Sequence, residues 1–112
     1  MDESTAITRF AALAQETRLA VFRLLVQAEP NGLAAGEIAR RLAVPHNTMS
    51  AHLSVLTRAG LATATRHSRS MIYRAELASM RDTLVFLAAD CCQGRPEICA
   101  GLTDIAADSS KR

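Results

Sequence analysis

Apolar residues recur at helical spacing through the opening of the chain: Ile7, Phe10, Leu13 and Ala14, then Leu19, Phe22, Leu25 and Val26 within the stretch Thr17 to Ala28. Two amphipathic helices are predicted, separated by Gln15-Glu16. Pro30-Asn31-Gly32 is a turn signal, and Ala34 to Leu42 reads as a short helix that buries Ile38 and Leu42 while Glu37, Arg40 and Arg41 face out. That third helix ends near Ala43. Pro45 can open another with its fixed φ, and Met49, Leu53 and Leu56 then form one inward stripe up to a stop at Gly60. Beyond Gly60 the period changes from helical to two, with Leu61 to Arg66 and Ser70 to Arg74 flanking His67-Ser68-Arg69, the pattern of a β-hairpin. Further on, Ser79-Met80-Arg81-Asp82 has the form of a helix-opening cap, and Met80, Leu84, Leu87 and Cys91 continue one stripe along a final helix.

Helix, helix, helix, tight turn, helix, hairpin is the order of a helix-turn-helix followed by a wing, so the expected class is mainly α with a β-hairpin wing. Its 112 residues imply one domain, taken as residues 1–105, with an Ala-, Asp- and Ser-rich tail at 106–112 expected to be disordered. About half of the residues are apolar, yet Trp is absent and aromatic residues are few, which favours a helical core of Leu, Val, Ile, Met and Ala. No apolar run reaches the roughly 18 residues of a membrane span, and Met1-Asp2-Glu3-Ser4 lacks the basic start of a secretion signal. A soluble, cytoplasmic protein with no membrane partner is expected.

The net charge of +2 conceals a strong division along the chain. Residues 1–37 carry three Arg and five acids, residues 38–81 seven Arg and Glu76 alone, and residues 82–112 three basic groups and five acids. A basic middle between acidic flanks fits either a nucleic-acid footprint or a solvated surface. On the fourth predicted helix, Asn47, Ser50, Ala51, Ser54 and Arg58 share the face opposite the apolar stripe. Short polar side chains let a helix backbone approach base edges, and a terminal Arg suits phosphate, although a plain solvated face has similar composition. On the hairpin, Arg66, Arg69 and His67 stand where a wing reaches phosphate or an adjacent minor groove.

All three cysteines, Cys91, Cys92 and Cys99, fall within nine residues. An odd number of thiols in a chain without an export signal argues for reactive or metal-binding cysteines rather than a disulfide framework. A turn at Gly94 to Pro96 could fold Cys99 back onto the adjacent pair to form a three-sulfur cup. Cys91 also has a bland reading as a small apolar residue on the helical stripe. Cys92 lies off that stripe, and Cys99 lies beyond the helix-stopping Gly94 and Pro96. Three thiolates replace the three hydroxyls of arsenous acid and leave a neutral site, and antimonite should behave alike. Zinc or cadmium would want a fourth donor, from Asp90, Glu97 or water.

The segments Ala14-Gln15-Glu16-Thr17-Arg18-Leu19-Ala20-Val21-Phe22-Arg23-Leu24-Leu25 and Thr48-Met49-Ser50-Ala51-His52-Leu53-Ser54-Val55-Leu56-Thr57-Arg58-Ala59-Gly60-Leu61 resemble the opening signature and the recognition helix of the ArsR/SmtB metalloregulatory repressors. Arg69 and Tyr73 fit that family's wing pattern, so the resemblance covers most of the chain. It implies a winged-helix homodimer, paired through its first and last helices, that represses an operator on double-stranded DNA until a metal or metalloid ion loosens it. Thr48 and His52 join the expected DNA-facing residues through this resemblance, His52 having an equal reading as a brace for its helix. Ala51 stands where His is frequent, and Ser68 where Gly is usual at the wing tip.

Two sensing sites of the family are missing from the sequence. Ala35-Gly36-Glu37-Ile38-Ala39-Arg40-Arg41 holds no Cys-x-Cys, and His46, His52 and His67 all lie in the DNA-reading segment rather than on the last helix, where zinc sensors place ligands. Cys91-Cys92 followed by Cys99 after Pro96-Glu97-Ile98 resembles the C-terminal arsenite site of one branch of the family, which puts As(III) first among inducers and Sb(III) beside it. A divalent soft metal, or a disulfide between Cys99 and one of the pair, remains the alternative trigger. An enzyme is not expected: no cysteine is followed six residues later by Arg, the positions holding Glu97, Ile98 and Ile105.

Overall fold

The computed structural model describes residues 1–88. Cys91, Cys92 and Cys99, the end of the expected domain and the tail at 106–112 lie outside them. Asp2 opens α1 (Glu3–Leu13) by accepting a hydrogen bond from the Thr5 amide at 2.8 Å, and that bond holds the Asp2 carboxyl below its ordinary pKa. The Gln15 side chain caps α2 (Glu16–Gln27) in the same way, accepting from the Arg18 amide. A short strand β1 (Leu33–Ala34) leads into α3 (Ala35–Leu42), α4 (His46–Arg58), β2 (Ala62–His67), β3 (Ser70–Ala75) and α5 (Leu77–Phe86).

The inward stripe of α4 is the one its periodicity predicts. Met49, Leu53 and Leu56 are at most 1% exposed and join Val21, Phe22, Leu25, Ile38, Ala39 and Leu61 in one cluster shared by α2, α3, α4 and the wing's first residues. Burying each of the larger side chains contributes about 1.5–3 kcal/mol before conformational entropy is charged against it. This core makes the recognition half of the molecule a single body.

Three features depart from expectation. The hairpin is part of a three-stranded antiparallel sheet in the order β1-β3-β2, with Leu33 opposite Tyr73 and Ala34 opposite Ile72. Ala34 is therefore strand, not helix. Gly32 permits this pairing: its φ is +76°, and a Cβ there would lie 2.6 Å from the Tyr73 carbonyl oxygen.

The apolar faces of the first two helices are also turned from the expected stripe. On α1 the buried residues are Ala6 and Ala12, while Ile7 is 60% and Phe10 37% exposed; on α2, Val21, Phe22 and Leu25 are buried and Leu19 and Val26 exposed. Alanines let α1 lie close against α2 and α4, which leaves its larger side chains on an uncovered side.

The third departure is at α5, which opens at Leu77 after Glu76 without a side-chain cap, so Ser79-Met80-Arg81-Asp82 lies inside the helix. Ser79 instead offers its carbonyl to the Thr83 hydroxyl at 2.8 Å. Thr83 is fully buried and Met80 packs on the core, whereas Leu84, expected on the inward stripe, is 38% exposed. No helix among the described residues is long and apolar enough to cross a membrane.

Candidate nucleic-acid interface

Two local devices aim α4. Ala43 closes α3 in the left-handed region, at φ 55°, and the Val44 amide donates back to the Ala39 carbonyl at 3.0 Å. Pro45, in extended backbone, then starts α4 at once. At the far end Gly60, at φ +78°, releases the chain into the wing. The result is a tight helix-turn-helix whose second helix is anchored along its whole inner face.

Its outer face presents Asn47, Thr48, Ser50, Ala51 and Arg58 to solvent, with Ser54 half-buried. His52 is half-buried too, and its Nδ1 lies 3.4 Å from Arg18 Nη1, while Arg18 Nε donates to the Ala12 carbonyl at 2.6 Å. A guanidinium only donates, so this contact requires a lone pair on Nδ1. In that tautomer His52 can brace α4 against α2 and, through Arg18, the end of α1. Sequence spacing left that choice open because the partner lies 34 positions away.

At the wing tip β2 runs one residue further than the alternation suggests. His67 pairs with Ser70 and Arg66 with Met71, leaving Ser68-Arg69 as a two-residue tip with Ser68 at φ 60°. Arg66, His67 and Arg69 are all exposed on it. Between the wing, the start of α3 and the first turns of α4 runs an open cleft of about 420 Å³, lined by His46, Ser50, Arg69, Ser70, Met71 and Tyr73 among others. The His46 ring lies against Gly36 of α3, where a Cβ would come within 3.2 Å of its Nε2. His46 and Tyr73 were not singled out by the recognition-face argument, since one precedes that face and the other alternates toward the core.

The fold also divides the basic block into paired and free cations. Arg40 and Arg41 both bind Glu37, whose carboxyl the Arg41 and Arg40 hydrogen bonds hold below its ordinary pKa. The small support these exposed pairs lend is present above the usual glutamate range and fades as pH falls through the lowered value. Arg74 binds Glu29 at 2.6 Å, and that hydrogen bond raises its pKa further. Arg58, Arg66 and Arg69 form no salt bridge among the described residues. Arg81 on α5 likewise forms no salt bridge among the described residues, while Arg58, Arg66 and Arg69 put charge at the end of α4 and on the wing, the two places a duplex backbone would pass.

No group of three His, Cys, Asp or Glu side chains placed to hold a metal occurs among the described residues, and the cysteine trio lies beyond them.

Residues 13–64 match the family model of a helix-turn-helix domain. The whole fold is similar to an ArsR-like transcriptional regulator from Rhodococcus sp. RHA1, with 27% identity, a TM-score of 0.72, and coverage of 92% of this chain and 93% of that one. It is likewise similar to the homodimeric winged helix-turn-helix DNA-binding domain of Mb0332 from Mycobacterium bovis, described as a possible ArsR-family transcriptional regulator. There the identity is 30%, the TM-score 0.64, and the coverage 78% of this chain and 80% of that one. A third similar structure is a possible transcriptional regulator for arsenical resistance, 30% identical over 66% of this chain and 77% of that one, with a TM-score of 0.56. No curated protein matches the sequence closely enough to count as a relative.

Proposed function

The chain belongs to the ArsR family of transcriptional regulators, and we propose that it is a homodimeric repressor released from its operator by arsenite. The observation that carries the DNA-binding half is the exposed face of α4, short and polar from Asn47 to Ser54 and flanked by Arg58, Arg66 and Arg69, which form no salt bridge among the described residues. Asn47, Thr48, Ser50 and Ala51 are near enough to the helix start to meet base edges in a major groove, and the wing arginines take phosphate. His52 holds the helix rather than reading bases.

Dimerisation is supported by the uncovered apolar side chains of α1 and α5, Ile7, Phe10, Leu77, Leu84 and Val85. Two copies pressed together on these helices would set the recognition helices about one turn of DNA apart, as palindromic half-sites require.

The inducer reading rests on the chemistry of Cys91, Cys92 and Cys99, which follow α5 in the chain. Three thiolates satisfy As(III) or Sb(III) fully, and gathering them would shift the end of the helix that leads to them. The kinship with a possible regulator of arsenical resistance supports the same choice. By linkage, arsenite must bind the DNA-free dimer more tightly than the bound one, with a coupling of about 1–3 kcal/mol typical of such switches.

Titrating a protein–operator complex with arsenite tests this on the native chain and on Cys91→Ser, Cys92→Ser and Cys99→Ser. Release of the native protein and equal loss of response in all three variants is the expected outcome; unchanged DNA binding by arsenic-loaded protein would refute it. An unaffected Cys91→Ser would return that residue to a packing role. Release by peroxide under metal-free conditions, with no response to arsenite, would instead identify a disulfide switch.

A further inference from the structure

Arg9 belongs to α1, yet its guanidinium serves two other helices. Nε donates to the carbonyl of Ala59, the residue that ends α4, at 3.1 Å. Nη1 donates to the Ser79 carbonyl and to Thr83 Oγ1 on α5, each at 3.2 Å. Thr83 is fully buried and gives its own hydroxyl proton to Ser79, so its oxygen is free to accept from Arg9.

A guanidinium is planar and its donors keep fixed mutual directions, so groups bound at two of its edges are held at one spacing. The Ala59 carbonyl is among those at the C-terminal end of α4 that lack an intrahelical partner, where a cation is also favoured by the helix dipole. Among the described residues α5 packs on α1, Met80 rests on the core, and the Glu76 amide donates to the Leu61 carbonyl at 2.9 Å, just past the end of α4. We propose that Arg9 is a positioning residue that couples α5 to the recognition helix, so that a displacement of α5 is passed to the last turn of α4 through one side chain. The proposal rests on α4 being the DNA-reading helix and assigns the route by which the far helix reports to it.

The test is a cycle of Thr83→Val and Arg9→Gln on the full-length protein, with Arg9→Lys and Thr83→Ser as conservative partners. Two measurements are taken without inducer: affinity for a duplex selected by the native protein from a random pool, and the amide resonances of Ala59, Gly60 and Leu61. With Arg9 present, Thr83→Val is expected to weaken duplex binding about threefold or more and to shift those amides. With Gln at position 9 the same substitution should change neither, and Thr83→Ser should restore both in the native background. Lys at position 9, a single point donor, should not restore the coupling.

Additive losses in the cycle, or α4 amides that ignore Thr83→Val while Arg9 is in place, would overturn the assignment. If the Val variant fails to fold, Thr83→Ala takes its place in the same cycle, and the shift it causes at those amides must vanish with Arg9→Gln. Should the native protein select no duplex, the DNA-reading assignment fails, and the amide cycle still decides whether Arg9 transmits.

Discussion

Met49, Leu53 and Leu56 on α4 are at most 1% exposed, whereas Ile7 and Phe10 on α1 and Leu77, Leu84 and Val85 on α5 stand 37–60% exposed. The residues are chemically alike, and both sets lie on helices, so hydrophobicity does not separate them. What separates them is company. The helix-turn-helix closes its own core and turns polar and cationic groups outward, which suits water and a polyanion. The α1–α5 end leaves its larger apolar groups outward and fills the inside with Ala6, Ala12, Thr83 and the Arg9 hydrogen bonds. One end is complete within a chain; the other leaves the apolar surface that the proposed second copy would cover.

The largest expected effect falls on the closed end. Leu53→Ala should lower the unfolding free energy in urea by about 3 kcal/mol, with relaxation of the cavity deciding the final figure. Leu84→Ala, measured at concentrations where the protein is monomeric, should change it by less than about 1 kcal/mol. Equal costs at the two positions would break the contrast.

Next in size is the open end tested as an interface. Phe10→Glu combined with Leu84→Glu should raise the dimer dissociation constant by about a hundredfold or more, roughly 2.7 kcal/mol, in sedimentation experiments, while the monomer keeps its helical circular dichroism. A dimer that survives both charges places the interface elsewhere.

Smaller effects sharpen the reading face. Arg66→Ala and Arg69→Ala should each reduce the slope of log affinity against log salt by about 1, with similar losses on specific and unrelated duplexes. Arg74→Ala should leave that slope almost unchanged, because its charge is already matched by Glu29. The smallest change is a gain: Ala43→Gly relieves a left-handed residue and should stabilise the chain by about 1 kcal/mol in thermal unfolding, without altering duplex affinity.

Legibility in the sequence follows the same division. The stripe on α4 could be read directly, because every apolar position repeating at helical spacing along it meets core. On α1 the spacing was as regular, but it could not say which side would be covered, since that depends on where α2 and α4 lie. β1 has two residues, too few for any period to appear, and its place beside β3 depends on Gly32 approaching Tyr73. For the candidate interface, the exposure of Ser50, Arg58, Arg66 and Arg69 followed from face and charge. The fixing of His52 by Arg18 and the silencing of Arg74 by Glu29 did not, as their partners are 34 and 45 positions distant.

Local order along the chain was enough to determine the five helices, the hairpin and their succession, the turns at Gly32, Ala43 and Gly60, the polar face of the fourth helix and the clustering of the three cysteines within nine residues, because periodicity and turn chemistry act over a few residues. Tertiary structure alone decided that Glu29 matches Arg74, which apolar faces are left uncovered among the described residues, and that Arg9 joins the end of α4 to Thr83, 74 positions away. Those outcomes depend on groups distant in sequence reaching within about 3 Å of one another, and no short-range pattern carries that distance.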